Sequence, residues 1–139
     1  MMNARKVFLP LSLTCLMVLL LVCCNKPQPV QGDPFYTTPS RAAEYFYTSL
    51  MEDRYPDCLE VMARDTVPED LHQETLDMLA EYASQMKTNR GGLQTVEVIS
   101  EETLSDSLAQ VLMSFTYGDG TSERVLVPMI CRNQRWALQ

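Results

Sequence analysis

Few side chains here have the types and spacing that catalysis needs. His72 is the only histidine, and it lies among Glu69, Asp70 and Glu74. A metal centre needs several ligands at set spacings, such as H-E-x-x-H or paired cysteines. Neither pattern occurs, so His72 reads as a solvated helix residue and no metal or cofactor is expected. A Ser or Cys nucleophile needs a base beside it. There is no G-x-S-x-G, and no base is predicted beside Cys58. Gly91-Gly92 reads as a helix stop and Gly118 and Gly120 as hairpin glycines, so no phosphate-cradling loop is present. The chemistry that remains is that of the five cysteines.

Cys23 and Cys24 close an apolar run. Arg5 and Lys6 precede residues 7–22, which are mostly Leu, Val and Met, interrupted by Pro10, Ser12 and Thr14. A bilayer span needs about 20 apolar residues. A basic start and a shorter apolar run ending in small residues are the marks of a secretory signal. The ending Leu21-Val22-Cys23-Cys24 resembles a bacterial lipoprotein box, in which the cysteine after the cut is acylated. Cys24 fits better than Cys23, because cleavage before Cys24 leaves the small Cys23 at the preceding position, where the alternative would leave the bulky Val22. An uncleaved membrane anchor is the other reading. The expectation is a signal over residues 1–23, a lipidated Cys24 with a spacer over 24–37, and a folded domain over 38–139. The resemblance implies a diacylglyceryl group and a further palmitate-type chain, and two or more chains make a firm tether. The location expected is the cell envelope, at the outer membrane or the periplasmic face.

Removing residues 1–23 leaves 116 residues, enough for one domain with its own core. The formal charge falls from −7 to −9, because Arg5 and Lys6 leave and no acid does. Nucleic-acid binding needs clustered Lys and Arg, so such a domain is not expected to bind it. Direct docking on an anionic membrane is equally disfavoured, and the lipid must supply the anchor. Cys58 and Cys131 then remain, an even number for an oxidising compartment. They are a candidate disulfide, with buried free thiols as the alternative.

Residues 25–37 hold three prolines and a glycine and read as an extended spacer, with Phe35 and Tyr36 placed to pack on the domain edge. Thr38-Pro39 is an N-cap and first-turn signal. Ala42, Ala43, Phe46, Tyr47 and Leu50 follow at helical spacing over 40–53. A second helix is expected over 56–63, with Cys58, Leu59 and Met62 inward. Thr66-Val67-Pro68-Glu69 is a capping-box pattern. The third helix should run to about residue 87, with Leu71, Thr75, Leu79, Tyr82, Ala83 and Met86 on one side. The period then changes to two. Strands are expected over 93–100, 107–117, 123–132 and 135–139, with an acidic turn over 101–106 and a hairpin at Gly118-Asp119-Gly120. Ala109, Val111, Met113, Phe115, Val125, Val127 and Met129 should face inward, and Pro128 marks an edge or a bulge. Segregated helices and strands predict an α+β fold: three helices packed on a curved four-stranded antiparallel sheet.

Pro39-x-x-Ala42-Ala43-x-x-Phe46-Tyr47-x-x-Leu50, Tyr55-x-x-Cys58-Leu59 and the ending Phe115-x-Tyr117-Gly118-Asp119-Gly120 to Arg135-Trp136-x-Leu138 carry a resemblance over nearly the whole mature chain. They resemble a domain of unknown function in small bacterial lipoproteins with a nuclear-transport-factor-2-like (NTF2-like, cystatin-like) fold. The resemblance implies a cone of sheet around helices, often with an apolar pocket at its mouth, lined here by Tyr47, Asp57, Met113, Phe115, Val127 and Met129. It assigns no chemistry. Three roles follow. One is a non-catalytic binding module for a small apolar ligand, a peptide or an envelope protein. Another is an isomerase- or dehydratase-like acid–base enzyme using Asp57 and Tyr47. The last is an accessory subunit docking through its sheet.

Overall fold

A computed structural model describes residues 34–62 and 67–139. Cys24, the expected signal and Thr66 lie outside those residues. Helix α1 (Pro39–Met51) starts where Thr38 and Pro39 direct it, and the Thr38 side chain accepts from the Arg41 amide at 3.3 Å. A second cap comes from far along the chain: Glu101 accepts from the Ser40 amide at 2.9 Å and from the Ser40 hydroxyl. A carboxylate there also meets the positive end of the helix dipole. Helix α2 is Tyr55–Val61 and buries Cys58, Leu59 and Val61. A 3-10 turn, Glu69–Leu71, leads into α3 (His72–Arg90). The third helix thus runs three residues past the expected end, to the Gly91 stop.

Four antiparallel strands follow in sheet order β1-β2-β3-β4. They are β1 (Leu93–Ser105), β2 (Leu108–Tyr117), β3 (Ser122–Arg132) and β4 (Arg135–Leu138). The α+β order of three helices and then four strands is as expected. Strand β2 alternates as its sequence predicts: Ala109, Val111, Met113, Phe115 and Tyr117 are buried against α1. Val127 and Met129 join them from β3, and Ala42, Ala43, Phe46 and Leu50 close the core from the helix.

The expected acidic turn over 101–106 is instead the end of β1. Strand β2 pairs with β3 from Leu108 onward and with β1 from Ser105, so the turn shrinks to Asp106-Ser107. Residues 99–105 are all exposed and have no core to alternate against. Register shifts after Val98 and after Thr103 break the period further. Pro128 lies beside the last β3–β4 pair, Met129 with Leu138, where β3 becomes a sheet edge. Residues 35–37, assigned from sequence to the spacer, pack on the domain as a 3-10 turn: Phe35 stacks on Tyr45 at 4.2 Å, and Arg135 lies 4.3 Å from the Tyr36 ring.

Helix α3 is closed by the β2–β3 hairpin. The Gly91 and Gly92 amides return to the Lys87 and Met86 carbonyls. The Arg90 carbonyl then accepts from the Asp119 amide and the Gly92 carbonyl from the Gly118 amide, both at 2.9 Å. This brings backbone against backbone: a Cβ on Gly118 would lie 2.3 Å from the Gly91 oxygen, while one on Gly120 would meet open space. Gly118→Ala should therefore cost about 3 kcal/mol by overpacking. Gly120→Ala, at φ +84°, should cost about 1 kcal/mol from left-handed backbone alone. Urea unfolding of the two variants checks the order, and equal losses would contradict it.

Candidate functional site

The residues expected to line a pocket do not line one. Met113 and Met129 are 0 % exposed, and Phe115 and Val127 are buried beside them. The interior is filled by α1 rather than left as a cavity. Tyr47 is half-buried with its ring tilted on Phe115, centroids 4.6 Å apart. Asp57 lies in the first turn of α2, where it pairs with Arg54. The carboxylate expected to act with Tyr47 is therefore engaged by a cation.

His72 is half-buried rather than solvated, and its Nε2 donates to the Val67 carbonyl at 3.0 Å. No group of three His, Cys, Asp or Glu poised for a metal occurs among the described residues. Cys58 and Cys131 are both free thiols, not a disulfide. Cys58 is buried on α2 and directs its Sγ to the Phe46 carbonyl at 3.6 Å. Cys131, in β3, pairs across the ladder with Trp136 of β4. Burial, and then the charge of Asp57, push the Cys58 thiol up to about 11, away from the thiolate a nucleophile needs.

What the fold does assemble lies where α3 meets the sheet. Arg90, at the last position of α3, lies over the Tyr117 ring at 3.5 Å from its centroid. It pairs with Glu123 at 3.1 Å and donates to the Thr121 hydroxyl at 3.0 Å. The Tyr117 hydroxyl donates to the same Glu123 carboxylate. Hydrogen bonds from Tyr117 and Arg90 hold Glu123 below the usual carboxylate range. Burial and that carboxylate raise Tyr117 above the ordinary tyrosine value. Burial, with Tyr82 adding to it, pushes Tyr47 up to about 12. These hydroxyls stay protonated at neutral pH and act as donors, not bases. The sequence offered one cue to the cluster: an Arg directly before Gly-Gly and a Tyr directly before Gly-Asp-Gly.

Beside it is a groove of about 290 Å³ lined by Leu50, Met51, Ala83, Met86, Lys87 and the 91–94 strand entry. Lys87 at its rim is held by both Asp53 oxygens at 2.7 and 2.6 Å. Those bonds, with one from Tyr55, lower the Asp53 carboxyl. Tyr55 in turn is raised to about 12, by burial and then by Asp53.

Two outcomes follow. Phenolate absorbance of the native chain should include a part delayed to about 12 for Tyr47 and Tyr55, with Tyr117 delayed as well. The delay should vanish in urea. Because their folded values are raised, these tyrosines contribute stability fully below ~10 that is lost as pH climbs through the folded values. A native titration that coincides with the one in urea would contradict this. Secondly, alkylation followed by peptide mass mapping should label Cys131 in the native chain and Cys58 only after unfolding. Equal labelling would place Cys58 at the surface.

No family model and no curated protein sequence matches the chain significantly. Among solved structures, a "Putative NTF2-like transpeptidase" from Campylobacter jejuni is similar in fold, with TM-score 0.57 at 13% sequence identity. The match covers 73% of this chain and 96% of that one. With three helices ahead of an open four-stranded antiparallel sheet, the domain of this chain has an NTF2-like fold.

Proposed function

We propose that the chain is a lipid-anchored envelope protein whose NTF2-like domain binds a partner protein through the outer face of its sheet. The observation that carries this reading is where apolar surface is spent. The helix side of the sheet is filled by core, whereas the outer side pairs Leu112 with Leu126 and Leu108 with Ile130 and leaves Leu126 54% exposed. Exposed Pro128 extends the same face. Exposed apolar side chains grouped on one face mark contact surfaces, and a broad sheet face suits a protein better than a small molecule. The anchor rests on the sequence: Arg5 and Lys6, the apolar run, and Cys24 after Cys23. The name of the Campylobacter jejuni protein raises a transpeptidase alternative. The raised, buried Cys58 thiol speaks against that role for this cysteine.

Cys24→Ala should abolish acyl labelling and move the protein out of the membrane fraction, while Cys23→Ala should keep both. Acylation retained in Cys24→Ala would overturn the assignment. For the sheet face, a photo-crosslinking residue at position 126 should give a discrete adduct in intact cells, and one at exposed Glu44 of α1 should not. No adduct at 126 would remove the binding face proposed.

A further inference from the structure

The 3-10 turn and helix α3 together carry two rows that the described residues leave largely uncovered. Leu79 and Ala83 face the core, but Leu71, Met78 and Tyr82 do not, although the sequence placed Leu71 and Tyr82 on the buried side. They are 43%, 66% and 52% exposed. With Thr75 they recur at i, i+4, i+7 and i+11, which is one stripe of a helix. The Thr75 hydroxyl is turned back to the Leu71 carbonyl at 2.9 Å, so this position presents its methyl side without an unmet donor. One residue earlier in each case stands a carboxylate: Asp70, Glu74, Asp77 and Glu81, all exposed. The two rows run side by side for about 16 Å, at 1.5 Å per residue.

Acids along a surface helix are usually just solubility. Two features here go further. Like charges at i, i+3 and i, i+4 oppose the helix, and among the described residues no ion pair joins Glu74, Asp77 or Glu81 to a cation; Gln73 and Gln85 donate to Asp77 and Glu81 instead. Alongside them lies a large aromatic and a methionine, the side chains that serve as anchors in contacts. An apolar stripe edged by uncompensated carboxylates is complementary to one kind of surface: an apolar stripe edged by Lys or Arg.

We propose that the exposed face of α3 docks a basic amphipathic helix of a partner protein, its apolar side chains on Leu71, Met78 and Tyr82 and its cations along Glu74, Asp77 and Glu81. This surface is separate from the outer sheet face and does not depend on it. A crosslink at position 126 reads that other proposal, so either can fail alone.

The probe is a fluorescently labelled synthetic helix with Leu at i, i+4, i+7 and i+11 flanked by Lys. It is titrated against the full chain in nanodiscs of zwitterionic lipid, with empty nanodiscs as the blank. Anisotropy should show binding to loaded discs above the blank, weakening as salt rises. The triple change Glu74→Gln, Asp77→Asn, Glu81→Gln should weaken binding by about tenfold or more. Met78→Asp should do the same. Removing three acids elsewhere (Glu97→Gln, Glu102→Gln, Asp106→Asn) should leave binding within about twofold, and amide exchange over residues 71–85 should slow when peptide binds. The proposal is overturned if a scrambled peptide of equal composition binds as well, which would mean polyelectrolyte attraction only. It is also overturned if the distal triple variant loses as much as the α3 one, if binding equals the blank, or if Met78 is instead buried by a second copy of the chain.

Discussion

The backbone contact between the end of α3 and the β2–β3 hairpin is the constraint on which the rest of the domain depends. A helix ends with carbonyls that lack intrahelical partners. Here two amides of a hairpin, Gly118 and Asp119, supply partners for the carbonyls of Gly92 and Arg90, 26 and 29 positions back along the chain. The approach is so close that neither Gly91 nor Gly118 has room for a Cβ. Once it forms, the direction of α3 relative to the sheet is set. The Arg90 guanidinium then falls on the Tyr117 ring and within reach of Glu123 and Thr121. The Arg–Glu pair is partly exposed and contributes little by itself. Its role is to fix an orientation that the backbone bonds have already chosen.

The same contact explains why the apolar stripe of α3 is not buried. Anchored at its C-terminal end, α3 turns Leu79 and Ala83 inward and meets the groove through Met86 and Lys87. Leu71, Met78 and Tyr82 are rotated about a quarter turn away from that direction, at 3.6 residues per turn. The helix could bury either stripe against the sheet but not both. The hairpin bond decides which, and the stripe left outside is the one edged by acids.

Most of the fold was legible from residue type and period. Thr38-Pro39, the alternation of Ala109 to Tyr117 and the turn at Gly118-Asp119-Gly120 each specify local geometry, and each element formed where they point. What was not legible was long-range. The Glu101 cap on Ser40 and the Gly91–Gly118 contact join residues whose motifs look complete on their own: an acidic turn, a helix stop, a hairpin. Strand β1 was cut short in the reading because its outer half faces only solvent and carries no apolar alternation to detect. The candidate pocket failed for a related reason. Inward apolar residues look alike in sequence whether they line a cavity or pack against a helix, and only the approach of Ala42 and Ala43, small enough to bring α1 onto the sheet, separates the two cases.

That closure also constrains how this fold can work in this chain. A cone with an open mouth can enclose a ligand; one filled by Phe46, Leu50, Met113 and Met129 cannot do so without moving α1. Moving α1 would break the Glu101 cap and expose a close-packed interior. Recognition at lower cost must use surfaces already exposed, and two of these differ in kind. The outer sheet face groups Leu108, Leu112, Leu126 and Ile130 among polar side chains, whereas α3 presents a narrow apolar stripe with a row of carboxylates. The two surfaces would demand different partner chemistry, so the two proposed contacts need not compete for one surface.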